Sequence, residues 1–219
     1  MTDDSERFRA LRETLFTAVV GDVMDTMGLR QQFLPPEIRP LRDDMILVGR
    51  AMPVIEHDLN GAEPLKPFGL MLEALDDLKS GEVYLASGSV GHYAMWGELM
   101  STRAMVLGST GAVLNGFSRD TWGILKMGFP TFSRGRYAQD QAPRGEVVDF
   151  RTSVKIGQVE VHPGDIVFGD IDGVLVIPKV AEDDIIVRAL EKAGKENLVR
   201  DAIAKGSGAV GAFKSYGVM

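Results

Sequence analysis

Between Glu82 and Gly128 the chain alternates strand and helix patterns without interruption, and this rhythm most restricts what it can fold into. EVYLAS (82–87) is a short apolar strand, and GELMSTRAMVL (97–107) suits a helix that Gly108 can end in the left-handed conformation. GAVLNG (111–116) is a buried strand that opens through Phe117 and Ser118 onto Arg119 and Asp120, and a second short helix ends near Gly128. Strands separated by helices pair in parallel, because the helix carries the chain back across the sheet. The segment therefore predicts an α/β protein with a parallel sheet at its centre.

The flanks fill in the rest. Residues 5–28 read as one helical stretch, with Phe8, Leu11, Leu15 and Val19 at helical spacing ahead of Gly28. The proline-bearing stretch 33–40 is a connection, 45–55 is extended, and 66–79 reads as a helix ending at Ser80-Gly81. From 147 to 178 the texture turns to short alternating strands divided by Gly, Pro and Asp turns. A charged amphipathic helix follows at 181–205, and the last residues read as a tail. With no internal repeat and no low-complexity linker, residues 1–219 are expected to form a single domain in which an α/β layer and a β-layer share one core.

Charge and composition exclude several function classes. The 31 acidic and 24 basic side chains leave a net charge of −7 with no long basic run, which argues against nucleic-acid binding. The absence of cysteine removes disulfides, thiolate metal sites and cysteine nucleophiles and fits a reducing cytoplasm. The charged opening MTDDSERFRALRE is not a signal peptide, and no window approaches the roughly 18 apolar residues of a membrane span, so a soluble protein is expected. No glycine-rich loop of the dinucleotide or P-loop type follows a strand.

Chemistry-bearing residues fall where the chain turns a corner. Glu98 lies in the first turn of a helix, and Arg119-Asp120 lie at the C-terminal end of a strand, where open α/β sheets bind ligands. After Gly97, the amides of Leu99 and Met100 are donors at a positive helix end and suit a carboxylate. Arg119 can clamp that carboxylate or an adjacent keto oxygen. Asp120, completed by water and substrate oxygens, suits Mg²⁺ or Mn²⁺. Each feature also has a plain structural reading: a helix-dipole partner for Glu98 and a surface ion pair for Arg119-Asp120.

WGELMSTRAMVLGSTGAVLNGFSRD, then FPTFSRG and VHPGDIVFGDIDGVLVIP, resemble the family of the regulator of ribonuclease activity A and the 4-hydroxy-4-methyl-2-oxoglutarate aldolases. The similarity runs from TAVVGDVMDTMG (17–28) to the helix containing Lys195-Glu196, and its centre is Glu98, twenty intervening residues, then Arg119-Asp120. The resemblance implies a swivelling β/β/α domain with a central mixed sheet layer, a β-rich C-terminal segment and a closing C-terminal helix. It further implies homotrimers, sometimes paired into hexamers, with active sites between subunits. By the same resemblance Asp120 holds the metal, while Arg119 with Gly97, Leu99 and Met100 holds the pyruvyl part of a small 2-oxo acid. The implied reactions are cleavage of a 4-hydroxy-2-oxo acid to pyruvate and decarboxylation of oxaloacetate. The family also contains non-catalytic regulators that bind a ribonuclease, the alternative reading for this chain.

Three positions depart from the family pattern: Glu98 stands for the usual Asp, Gly123 for an acidic residue, and Asn115 for the Asp at the strand end. If the carboxylate missing at 123 is needed, Gly123→Glu is expected to restore a base on the face of Asp120. His92 and Glu196 are further candidates, one on a loop near the pocket and the other on the late helix, where Arg200 is its alternative partner. His57 and His162 read as a loop and a turn residue. Lys155 reads as solvent-facing, and Asp165, Asp170 and Asp172 as turn residues bonded to their own backbone. Met95, Trp96, Met100 and Met105 form an apolar wall near the pocket or ordinary core.

Overall fold

The structure, a computed structural model, describes residues 4–64, 66–89 and 91–218. In chain order its elements are α1 (Asp4–Thr14), α2 (Thr17–Thr26), β1 (Arg39–Pro40), β2 (Leu47–Asp58), α3 (Met71–Asp76), β3 (Glu82–Ser87), β4 (Ala94–Trp96) and α4 (Glu98–Val106). There follow β5 (Gly111–Ser118), α5 (Thr121–Met127), β6 (Thr131–Arg136), β7 (Gly145–Phe150), β8 (Val154–Ile156), β9 (Val159–Val161), β10 (Ile166–Asp170), β11 (Gly173–Ile177), α6 (Glu182–Ala204) and α7 (Ala209–Tyr216). They fall into two compact units, one spanning residues 31–180 and the other built from α1, α2, α6 and α7.

In the larger unit the sheet runs β1-β6-β5-β3-β2-β10-β11, with β4 beside β5 and β7 beside β2. The pairs β2-β3, β3-β5, β5-β6 and β4-β5 are parallel, in keeping with the strand–helix rhythm, whereas β1-β6, β2-β7, β2-β10 and β10-β11 are antiparallel. Val83, Leu85, Val113, Leu114, Phe132 and Val176 are fully buried, the near-continuous apolar run expected of strands covered on both faces. Arg39, on edge strand β1, donates to the carbonyls of Ile171 (3.1 Å) and Asp172 (2.6 Å) in the β10-β11 turn. The two edges of the sheet therefore approach each other, curling it toward a barrel.

In the smaller unit Lys192 of α6 donates to Asp22 of α2 and to Glu196, each at 2.7 Å. Arg7 of α1 meets Glu182 (3.4 Å) and Asp183 (2.9 Å) in the first turn of α6, where acids also face the positive end of the helix. No helix among the described residues is long and apolar enough to cross a membrane.

Four local expectations need correction. The predicted helix over 5–28 is broken at Phe16, which is extended (φ −118°, ψ 153°), and the apolar spacing carries across the break because Leu15 stays buried. The helix predicted over 66–79 shrinks to α3, since Phe68 and Gly69 take φ of 64° and 60°, values no right-handed helix passes through. The predicted tail contains α7, closed by Gly217 at φ 72°. Strands β4 and β6 escape the pattern reading, one being three residues long and the other polar at its end.

Candidate active site

Two parallel strands deliver the candidate residues to one place. β4 lies beside β5, with Trp96 opposite Ser118, and each strand then turns into a helix: through Gly97 into α4, and through Arg119 and Asp120 into α5. The amide of Arg119 donates to the carbonyl of Trp96 (2.9 Å), which ties the two turns together. Asp120 sits in the left-handed region (φ 55°, ψ 34°), a conformation that Asp tolerates better than most residues but that still costs about 1 kcal/mol or more. It aims the carboxylate back at the start of α4, where Oδ2 lies 3.4 Å from the amide nitrogen of Glu98. A side chain at Gly97 would stand 2.6 Å from the same oxygen, so glycine there admits this approach.

Arg119 is held between two carboxylates, with Nε 3.7 Å from Asp120 Oδ2 and Nη1 3.2 Å from Asp140 Oδ1. It remains about one-third exposed and can still offer donors to a ligand. The amides of Leu99 and Met100 precede the first i→i−4 bond of α4, from Ser101 to Gly97 (3.1 Å), and so face outward from the positive helix end.

Glu98 points across to α5. A Cβ on Gly123 would overlap the Glu98 carboxyl group and stand 2.7 Å from its Cγ. The acid on α4 thus fills the space that a side chain at 123 would need. This reverses the expectation for Gly123→Glu, because the added carboxylate would collide with Glu98 and repel it.

Two cavities meet at Arg119 and Asp120. The larger, about 490 Å³, is open and is lined by Glu98, Ser118, Arg119, Asp120, Thr121, Trp122, Gly123, Arg136, Tyr137 and Ala138. The smaller, about 250 Å³, is lined by Gly97, Leu99, Met100, Arg119, Asp120, Asp140 and Gln141 together with Phe68, Met71, Leu72, Leu75, Ala94, Met95 and Trp96. Each of the central predicted residues, Gly97, Glu98, Leu99, Met100, Arg119 and Asp120, borders one or both.

Among the described residues no three His, Asp or Glu side chains form a ready metal cage. A dication would find two carboxylates, Asp120 and Glu98, bordering one open cavity. These residues fit Mg²⁺ or Mn²⁺, which bind through one or two carboxylates and keep much of their water.

The other candidates lie elsewhere. His92 stacks on Phe117 (ring centroids 6.0 Å apart) and lines a separate cavity of about 360 Å³ with Asn115 and Arg134. Asn115 is bonded there on both sides, accepting from Arg134 Nε (2.8 Å) and donating to Ser87 Oγ (3.1 Å). Glu196 accepts from Lys192, not from Arg200, which bonds Asn197 instead. His57 belongs to β2, not to a loop, and His162 bonds Ser153 in its turn (2.7 Å). Asp165 accepts from the amide of His162 in its own turn and also from that of Lys179 beyond β11, Asp170 at the end of β10 accepts from the amide of Asp172, and Lys155 is solvent-facing. Met95, Trp96 and Met100 do wall the smaller cavity, whereas Met105 does not.

Sequence reasoning missed Asp140, Trp122, Arg136 and Tyr137. Arg136 stands opposite Ser118 in the parallel register of β6 on β5, so reading β6 as a strand would have found it by the same strand-end rule. Asp140 arrives through a single bridge to Ala94, and no sequence spacing signals that.

Residues 17–176 match the model of the RraA-like family, described as Aldolase/RraA. A relative in Halalkalibacterium halodurans, named "Putative 4-hydroxy-4-methyl-2-oxoglutarate aldolase", is 29% identical over 202 residues, covering 91% of this chain and 90% of its own. An uncharacterized protein from Pseudomonas syringae pv. tomato superposes with a TM-score of 0.83 at 26% identity, over 97% of this chain and 98% of its own. Streptomyces coelicolor RraAS2, an unusual member of the RNase ES inhibitor RraA family, shares the fold (TM-score 0.79, 22% identity, 90% of this chain and 98% of its own). With the family model covering most of its length and these folds matching nearly end to end, the chain belongs to the RraA-like family, which includes aldolases and ribonuclease regulators.

Proposed function

We propose that this protein is a divalent-metal-dependent carbon–carbon lyase acting on small 2-oxo acids. Its reactions would be cleavage of a 4-hydroxy-2-oxo acid to pyruvate, decarboxylation of oxaloacetate, or both. The observation that carries the reading is the convergence of Arg119, Asp120 and the Glu98 carboxyl group, laid over Gly123, on one open cavity. A protein that only binds another protein through its acidic surface needs no such cluster.

Asp120 would hold Mg²⁺ or Mn²⁺, which supplies Lewis-acid stabilisation of the negative charge that develops on the C2 oxygen. Arg119 and the amides of Leu99 and Met100 bind the C1 carboxylate and orient the keto group. Glu98 takes the proton of the C4 hydroxyl as that oxygen becomes a carbonyl. The C3–C4 bond breaks, its electron pair passes into the pyruvate enolate, and a proton returned to C3 through water completes pyruvate. Decarboxylation uses the same enolate and needs no base, because the C4 carboxylate leaves as CO₂. The enzyme would work in the cytoplasm as a homotrimer or a pair of trimers.

The test is a pyruvate-release assay over 4-hydroxy-2-oxo acids and oxaloacetate, with Mg²⁺, with Mn²⁺ and with chelator. Metal-stimulated release is expected, and its absence with every substrate would discard the lyase.

A further inference from the structure

The cavity of about 360 Å³ that holds His92 is lined by Asn115 and Phe117 of β5, Arg134 of β6, Ser89 and two glycines. It shares no lining residue with the two cavities at Arg119 and Asp120. Its charge sets it apart in a protein of net charge −7. Glu98, Asp120 and Asp140 line the cavities at Arg119, Glu196 lines one beside α6, and Glu160 and Asp165 line one beside the β9-β10 turn. Here no carboxylate is in the wall, and Arg134 and His92 are its basic side chains.

Arg134 Nε donates to Asn115 Oδ1 (2.8 Å), a neutral partner that leaves the guanidinium charge uncancelled. Its Nη1 lies 3.5 Å from Glu37, an exposed acid outside the cavity, and surface pairs of this kind are weak. Among the described residues Nη2 has no hydrogen-bond partner, and neither has the His92 ring, which stacks on Phe117. We propose that this cavity is a second binding site, independent of the 2-oxo acid reading, and that it takes a small carboxylate with a short carbon tail. The donors match such a ligand: Nη2 and an imidazole N–H for its two oxygens, and one fixed positive charge for one negative charge. A phosphate brings more oxygens and more charge than these groups supply. Phe117 offers the tail an apolar face.

The probes are propionate and inorganic phosphate, titrated into the full chain at constant ionic strength and followed by ligand-observed NMR. Propionate also suits Arg119, so the titrations are made in the Arg119→Gln chain, where saturable binding of one propionate per chain is expected to remain. Adding Arg134→Gln should weaken it about tenfold or more, the usual loss for a charged hydrogen bond. Adding His92→Phe, which keeps a ring against Phe117 and removes the donor, should weaken it about 3- to 10-fold. Adding Glu37→Gln, on an exposed residue outside the cavity, should tighten it by up to about fivefold, because the competing acid is gone. That gain keeps the test decisive even if Arg134→Gln fails to fold. Loss of all propionate binding in Arg119→Gln alone overturns the proposal, as does binding that neither Arg134→Gln nor Glu37→Gln changes. Phosphate bound as tightly as propionate overturns the choice of a carboxylate.

Discussion

The carboxyl group of Glu98 lies directly against the α-carbon of Gly123, in space that any side chain at 123 would take. Residues 98 and 123 sit on α4 and α5, yet they present a single carboxylate to a single cavity. The carboxylate beside Gly123 is thus supplied from the neighbouring helix.

Gly123→Ala separates activity from stability. The methyl group must displace the end of a flexible side chain and not backbone, so the fold survives. Because position 123 is helical, alanine should stabilise by up to about 1 kcal/mol. Moving a general base off its proton costs about 10²-fold in rate, the low end of what such a base contributes. We expect a melting temperature equal to or above wild type with cleavage of the 4-hydroxy-2-oxo acid reduced at least tenfold and decarboxylation little changed. A variant as active as wild type would remove Glu98 from the chemistry.

Asp120→Asn keeps a residue that tolerates the left-handed backbone while removing the charge. Stability should change by about 1 kcal/mol or less, and metal-stimulated activity should fall by roughly 10²-fold or more, since the dication's stabilisation of developing charge is worth several kcal/mol. Chelator should have no further effect on the variant. Full metal stimulation of Asp120→Asn would mean the ion is held elsewhere.

Asp140 holds Arg119 from the side opposite Asp120 and is a positioning residue. Both partners are about one-third exposed, so the pair contributes little to stability, about 0–1 kcal/mol. In Asp140→Asn the guanidinium is less well aimed at the substrate carboxylate. KM for the 2-oxo acid should rise roughly 3- to 10-fold, equivalent to about 1 kcal/mol of uniform binding, with kcat within about twofold. An unchanged KM would show that Arg119 needs no such support.

Much of this was legible in the sequence because the strand–helix rhythm from 82 to 128 repeats the physics of a parallel sheet, and the strand-end rule then picks out Arg119-Asp120. The Glu98–Gly123 contact was not, since two helices 25 positions apart share no periodicity that shows which side chain leans on which. Asp140 and Tyr137 were hidden because β6 ends in polar residues and its continuation reaches the site by one bridge to Ala94. The second helical unit was half legible: the charge pattern of 181–205 shows α6, but the break at Phe16 leaves the apolar spacing intact.

Glu56 is buried in β2 and accepts a hydrogen bond from Gln141 of the smaller cavity (Nε2 to Oε2, 2.8 Å), which makes the fold itself sensitive to pH. Burial, helped by the neighbouring charge of Asp58, pushes its pKa up to about 8, against 4.5 for a free glutamate. The sign follows from proton counting. Between pH 4.5 and 8 the folded protein keeps this proton and the unfolded chain has lost it, so stability falls as pH rises through that window. Below 4.5 both states are protonated and above 8 both are ionised, so the slope vanishes outside it. A tenfold difference in proton affinity between the folded and unfolded states is worth about 1.4 kcal/mol, so the loss by pH 8 is of the order of a few kcal/mol. Glu56→Gln keeps the shape and stays neutral at every pH, so it should match wild type near pH 5 and be more stable near pH 8. Urea unfolding at both pH values measures the difference; parallel wild-type and Glu56→Gln stabilities across the range would mean that Glu56 is ionised in the folded protein.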